Sequence, residues 1–344
     1  MNKNIIEARK VSSRLINKSK NQAKKGECLW CGKKITRFCN SHSIPQCVLK
    51  NIDIDGKLDY FNSLLKIPLL NEDKGLNEAG TFKLLCNECD GKIFRDYEDI
   101  NALEKRPSEK MLEEIALKNI LMMLNKRYIE IELYKNLEKQ YHFECEKKQE
   151  VNSLDEKDFW WDYNRVKNMM NSDKDEHKFK IIYWKKLDYK IPIAFQGLVA
   201  LYGDIEGNLV TDIYNKSKDV IVKHMHLCMF PLKECSVVFA FYHEDDTEYD
   251  DFCRQFNLLN EEEKLSTLSY IVHEYSEDML YSKKFPHRTW FMNKLKEIAL
   301  DNTDIFGFSK EEAEFKKRVL LNKIKNRDKN FPCILSKKFS IENN

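Results

Sequence analysis

The sequence predicts an α+β protein made of a small N-terminal module, a helical scaffold, an antiparallel sheet and C-terminal helices. Three observations support this prediction: two close cysteine pairs before residue 90, a long helical pattern after Pro107, and a series of β-branched and aromatic segments between about 177 and 243. The chain has 344 residues, of which 42% are apolar and 33% charged, with only 10 glycines and 7 prolines. A chain of this length and composition is expected to form two or three ordered, packed units.

Residues 1–26 are predicted to form a basic helix, because their apolar residues recur at the spacing of one helix face. Residues 1–50 contain 12 Lys/Arg and only two acids, a formal charge of +10, whereas the whole chain carries +2. The rest of the chain therefore carries a formal charge of −8. Clustered Lys and Arg gain affinity for polyanions by releasing counterions from phosphates, so this end is a candidate for nucleic-acid binding. The alternative is a solvated helix with no partner.

Two of the cysteine spacings are typical of a zinc site. No secretory signal or membrane span is evident, so we expect a cytoplasmic protein, in which 11 cysteines are unlikely to form a disulfide framework. Cys28 and Cys31 form one C-x2-C pair and Cys86 and Cys89 another, and four thiolates can close a tetrahedral shell around Zn²⁺. We therefore expect a structural zinc in a module of residues 27–105. Cys39 and Cys47 are alternative ligands without a partner at this spacing.

The remaining elements are predicted from local patterns. In residues 51–63, "NIDIDGKLDYFNS" predicts a hairpin around Asp-Gly, and "NEDKGLNEAG" a polar loop. Ser108 is a plausible N-cap for a long scaffold helix that opens an α+β C-terminal domain of residues 106–344. Strands are expected at residues 177–187, 191–203, 208–215, 219–230 and 235–244, and helices at 245–280, 288–300 and 309–325. His224 and His226 are expected to be packed or solvated, with a shared metal as the alternative.

Between the cysteine pairs, "NSHSIPQ" places His42 three residues before Pro45, and the second pair continues directly into "CDGKIFRDYE". Here the sequence resembles the HNH, or ββα-metal, endonuclease family, and in particular its members with a zinc site. In these proteins a strand after the first C-x2-C ends in a histidine followed by "xxP", and the second C-x2-C opens a helix. The resemblance covers residues 27–98, under a quarter of the chain.

The resemblance implies a zinc-stabilised ββα-metal module that hydrolyses phosphodiester bonds. The family's general base corresponds to His42, and the ligand after the second cysteine pair corresponds to Asp90, a suitable oxygen ligand for catalytic Mg²⁺ or Mn²⁺. The chain departs from the family at two positions. Ser41, beside Asn40, occupies the position before the base, where the family often has an aspartate, and Thr81 occupies the position where the family has an asparagine. Ser41 and Asn40 are therefore candidate ligands. Further candidate residues are Asp96 or Glu98 as a third ligand, and Lys33, Lys34, Arg37, Lys92 and Arg95 as nucleic-acid contacts.

The leading hypothesis is a metal-dependent HNH endonuclease, with DNA favoured over RNA as substrate and no membrane association. By analogy with fusions of this layout, it is a candidate effector of prokaryotic defence, whose C-terminal domain binds a signal, a partner protein or a second copy of the chain. The alternative is a zinc-stabilised nucleic-acid-binding or scaffold protein without catalysis, in which His42 only bonds a backbone carbonyl. A third hypothesis assigns a small ligand to the C-terminal sheet.

Overall fold

The computed structural model describes residues 3–64, 67–142, 145–172, 178–215, 217–301, 310–327 and 331–341. The helices are α1 (Lys3–Gln22), α2 (Gln46–Leu49), α3 (Asn87–Ile93), α4 (Ile100–Leu103), α5 (Glu109–Tyr141), α6 (Glu146–Met170), α7 (Asp250–Leu258), α8 (Glu261–Tyr275), α9 (Arg288–Asp301) and α10 (Lys310–Lys323). The strands are β1 (Ser41–His42), β2 (Lys57–Leu64), β3 (Ile67–Gly75), β4 (Thr81–Phe82), β5 (Phe179–Leu187), β6 (Ile193–Val199), β7 (Met225–Pro231), β8 (Ser236–His243) and β9 (Asp278–Tyr281). No helix within these ranges combines the length and apolarity needed to cross a bilayer.

The larger sheet has the strand order β3-β2-β9-β6-β7-β8-β5, and every neighbouring pair is antiparallel. The predicted antiparallel sheet is therefore present. Strand β2 pairs with β9, with Tyr60 opposite Leu280. Hydrogen-bonded strands thus cross the sequence boundary that we placed between residues 105 and 106. The smaller sheet pairs β1 with β4, with His42 opposite Thr81.

Two local predictions are confirmed at positions where the residue type itself determines the backbone structure. The hydroxyl of Ser108 accepts a hydrogen bond from Met111 N at 3.3 Å and caps α5, as predicted. Asp55 and Gly56 have φ values of 53° and 71°, which gives the tight two-residue turn expected of an Asp-Gly pair. The predicted hairpin extends no further than one bridge between Ile54 and Lys57, because β2 pairs with β3 and β9.

Several local predictions were wrong, among them the strand ends at residues 200–203 and 219–224, which lie outside β6 and β7. Residues 208–215 form no strand, because Leu209 makes only an isolated bridge to Gly203 and the Asp212 carboxylate accepts the N–H of Tyr214, which turns the chain. Residues 71–75, predicted as loop, belong to β3, which is the long partner of β2. The first three residues of β9 fall at the end of the span 245–280, which was predicted as helix. These strands are set by pairing with distant residues, which a local pattern does not contain.

The large sheet separates two apolar cores. Alternate residues of β6 face opposite sides: Ala194 and Leu198 pack in the first core, and Phe195 in the second. The first core contains residues of α5, of α6 and most buried apolar residues of the cysteine-bearing module, whereas the second contains residues of α7, α8 and α9 together with Phe61 of β2. The module is therefore held by apolar packing against the scaffold.

Helix α1 lies along α5. Ser19 is fully buried, and the Asn136 amide donates hydrogen bonds to Ser19 Oγ at 3.0 Å and to Gln22 Oε1 at 2.6 Å. The C-terminal part of the basic helix is consequently fixed to the scaffold.

His224 and His226 are both buried and packed, as expected. His224 Nδ1 lies 2.7 Å from Asp162 Oδ2, and His226 Nδ1 lies 3.2 Å from the Asn119 amide nitrogen, while its ring stacks on Phe241. Each histidine is therefore engaged by protein groups.

Candidate functional site

The four paired cysteines form the candidate metal centre. The Sγ atoms of Cys28, Cys31, Cys86 and Cys89 all lie within 4.8 Å of one another. The first pair turns tightly because Gly32 adopts a φ of 69° and donates its N–H to Cys28 O at 2.8 Å. Four thiolates converging on one point could hold a metal such as zinc and leave it no open position, which is the chemistry of a structural site.

Backbone N–H groups point at the sulfurs. Cys86 N lies 3.3 Å from Cys28 Sγ, and Cys89 N lies 3.5 Å from Cys86 Sγ, so Cys86 also caps α3. Burial opposes ionisation of Cys28, but the N–H groups of Cys31 and Cys86 outweigh it and lower the pKa of the thiol to about 7. The backbone N–H groups therefore favour the thiolate at Cys28, whereas burial, followed by the thiols of Cys86 and Cys31, raises the pKa of Cys89.

The first cysteine pair is docked on α6. Tyr163 donates its hydroxyl to Leu29 O at 2.7 Å, and Lys167 Nζ lies 2.9 Å from Trp30 O. Leu29 N in turn donates to Leu84 O at 2.9 Å, just before the second pair. The scaffold thus positions both halves of the centre.

His42 lies at the end of β1, half-buried. Its Nε2 is 3.1 Å from Leu76 O. A carbonyl oxygen only accepts, so Nε2 must carry the proton and Nδ1 the lone pair. Nδ1 has no hydrogen-bond partner among the described residues. Burial lowers the pKa of the imidazole more than the Leu76 carbonyl raises it, which keeps His42 neutral near pH 7.

Asp90 lies in the first turn of α3 and is held by two side chains. Ser41 Oγ donates to Asp90 Oδ1 at 2.6 Å, and the Cys39 thiol donates to Oδ2 at 3.2 Å. Burial, followed by the Asp90 carboxylate, raises the pKa of Cys39 to about 11, so this thiol remains protonated. The structure therefore brings the predicted residues Ser41 and Asp90 together through a hydrogen bond.

The two carboxylates considered as third ligands form ion pairs. Glu98 contacts Lys118, a residue of α5 that is only 1% exposed and whose ammonium lies 4.2 Å from the centre of the Phe94 ring. Asp96 pairs with Lys110 at 2.6 Å. Among the described residues, the four cysteines are the one group of three or more His, Cys, Asp or Glu side chains placed to share a metal.

Two other predicted site residues have backbone partners. Asn40 is exposed and donates its amide to Asn77 O at 2.8 Å. Thr81 Oγ1 lies 3.5 Å from Glu78 O. Neither contact holds these side chains towards Asp90.

A groove of about 490 Å³ opens beside this region. Its lining, which we call the basic groove, includes Lys24, Lys25, Arg37, Phe38, Asn40 and Lys83, and it contains no Asp or Glu. The sequence analysis proposed Arg37 as a nucleic-acid contact and did not single out Lys24, Lys25 or Lys83, although the +10 charge of residues 1–50 includes Lys24 and Lys25.

The other predicted nucleic-acid contacts lie outside the lining of the basic groove. Lys33 faces Glu88 at 3.5 Å, and both side chains are largely exposed. Lys34, Lys92 and Arg95 are exposed to solvent. These side chains could contact a ligand only at the surface around the groove.

Comparison with family models, with curated proteins and with solved structures returned no match.

Proposed function

We propose that the chain is a metal-dependent endonuclease of the HNH type, with His42 as the general base. The observation that carries this proposal is the state of the imidazole: Nε2–H is anchored to Leu76 O, which leaves Nδ1 as the basic nitrogen, and burial favours the neutral form. A base fixed in one tautomer and neutral near pH 7 is equipped to accept a proton from water.

The surrounding groups have complementary roles in this proposal. A structural zinc in the four-cysteine centre would fix α3, and hence Asp90, relative to β1. The basic groove supplies cations that attract phosphates. Asp90 would hold a divalent cation, whose contribution is to neutralise charge on the scissile phosphate. For this, the carboxylate would exchange its bond to Ser41 or Cys39 for the metal.

One observation favours a second function, nucleic-acid binding without catalysis. Both oxygens of Asp90 already accept protein hydrogen bonds, and Glu98 is paired with a buried lysine. A site with a single available carboxylate is a weak ligand for Mg²⁺. In this second function, the bond from His42 to Leu76 O only holds β1 in place.

The test is nicking of supercoiled plasmid and cleavage of labelled oligonucleotides by the full chain, with Mg²⁺ or Mn²⁺ added. We expect His42→Ala to lower the cleavage rate by roughly 10²- to 10⁴-fold. The matched control is Gln46→Ala, four residues along the chain at the start of α2, whose side-chain amide donates to Asn77 Oδ1 at the surface. Nucleic-acid binding without cleavage by the wild-type chain would favour the second function, and full activity of His42→Ala would exclude His42 as the base.

A further inference from the structure

The basic groove is defined by charge that the protein does not neutralise. Arg37 and Lys83 are exposed and form no ion pair with any described residue, and no acid lines the groove. Lys24 bonds the neutral Asn21 amide, and the Lys25 ammonium lies 3.7 Å from the centre of the Tyr128 ring. Four cationic side chains therefore line one opening without a carboxylate among them, which is the electrostatic signature of a polyanion site.

The groove also contains groups that recognise more than charge. Phe38 is half-buried in the lining, next to Arg37, and Asn40 and Asn87 bring side-chain amides to the same opening. An aromatic ring accepts a stacked base of any type, and amides hydrogen-bond base edges or sugars. A lining of cations, one aromatic ring and amides matches the surfaces that bind nucleic acid by stacking.

The size of the groove favours an unpaired strand. Its volume of about 490 Å³ lies within the range of roughly 300–1,000 Å³ that is typical of pockets for small organic ligands. A duplex keeps its bases stacked inside and presents phosphates on the outside, so it would contact only the rim cations. A single strand can place an unstacked base against Phe38 while its phosphates follow Lys83 and Arg37.

We infer that the basic groove is a binding site for single-stranded nucleic acid, or for an unpaired stretch within a longer molecule. This inference deepens the proposed function by naming the substrate class, and it rests on that function only for the step after binding. The groove lies beside His42 in the chain, since Asn40 lines it and β1 begins with the next residue. A strand held there would enter the candidate site from one side.

The test measures binding separately from cleavage. Fluorescence anisotropy with the full chain, in buffer without added divalent cations, would compare a labelled single strand of mixed sequence with its own duplex, as both DNA and RNA. We expect the single strand to bind at least tenfold more tightly. Phe38→Leu, which keeps apolar bulk and removes the ring, should weaken single-strand binding by roughly tenfold and leave duplex binding unchanged, whereas Phe38→Tyr should retain the preference.

Two further variants separate charge from stacking. Arg37→Gln and Lys83→Gln should each reduce the slope of log affinity against log salt by about 0.7 for single strands. The matched control is Lys325→Gln, which changes an exposed lysine of the 3₁₀ turn Ile324–Asn326 that follows α10. Zinc content and melting temperature verify that each variant is folded.

Equal or tighter binding of the duplex by the wild-type chain would overturn the inference, and so would a single-strand preference that survives in Phe38→Leu. Absence of any nucleic-acid binding would also overturn it and would favour an acidic protein as the ligand of the groove. Failure of the nuclease proposal is distinguishable, because single-strand binding would then persist with no cleavage when Mg²⁺ or Mn²⁺ is added.

Discussion

Removal of one cysteine ligand should loosen the metal centre without unfolding the sheet. Structural zinc sites contribute about 10–16 kcal/mol, so one thiolate of four accounts for roughly 3 kcal/mol if all contribute alike. Cys86→Ser should therefore weaken zinc binding by about 100-fold. For a two-state chain of 344 residues the unfolding entropy is roughly 0.7 kcal/mol per kelvin, so the melting temperature should fall by about 4 °C.

The structure limits how far the damage spreads. Phe82, Leu84 and Phe94 are buried in the first core against α5, and they do not depend on the thiolates for this packing. Loss of zinc should release the loop from Cys28 to Lys34 and the first turn of α3, where backbone N–H groups bond to the sulfurs. The larger sheet, which contains no cysteine of the centre, should remain protected.

Elemental analysis after dialysis against a competing chelator and hydrogen exchange followed by mass spectrometry would check this. Cys39→Ser is the matched control, because this thiol bonds Asp90 and lies outside the four-cysteine group, so zinc content should not change. The reasoning would be refuted if Cys86→Ser bound zinc as tightly as the wild-type chain. It would also be refuted if β6 to β8 lost their protection together with the cysteine loops.

Three further predictions follow from buried charge and shared packing. Burial lowers the pKa of His226 and of His273 to about 3, below the value of about 6.5 for an unfolded chain. Between pH 6.5 and pH 3 the unfolded chain takes up a proton at each histidine that the folded chain resists, so each histidine should lower the free energy of unfolding by up to roughly 4 kcal/mol as the pH falls towards 3. Urea unfolding at a series of pH values measures this loss, which should be smaller in His226→Gln. Arg288→Met, which removes the 2.7 Å ion pair with the buried Asp59, should destabilise the fold by roughly 3 kcal/mol in the same assay. Residues 1–105 expressed alone should not fold even with zinc, because β2 loses β9 and the module loses α5; a dispersed NMR spectrum of this fragment would contradict that expectation.

The sequence was informative where chemistry depends on short spacings. Two C-x2-C pairs sufficed to predict the four-cysteine group, and Ser108 and the Asp-Gly turn were identified from single residues. The β5 to β8 strands were found because β-branched and aromatic residues dominate them. In each case the local structure depends on contacts between residues that are close in sequence, or on side chains that strongly prefer one type of structure.

Long-range pairing explains what was missed. Strand β9 pairs with β2 more than 200 residues earlier, and four residues of ordinary composition carry no local signal for this. In the sequence Lys118 is one charged residue of a long helix, and no local pattern predicts that it is buried and paired with Glu98. Lys83 was not recognised as a candidate contact because it is distant in sequence from Lys24 and Lys25, which follow α1. The three lysines line one groove only in the folded chain.

Helix α5 is the element through which the candidate site and the C-terminal sheet are connected. One part of it places Lys118 against Glu98 and the ring of Phe94, within the cysteine-bearing module. Two turns later the same helix binds the start of β9, where Lys126 lies 3.0 Å from Asp278. Since β9 also pairs with β2, the module is tied to the sheet by a helix and by a strand. The resemblance to HNH nucleases covers residues 27–98, but the physical unit that would perform the chemistry includes the scaffold and the sheet.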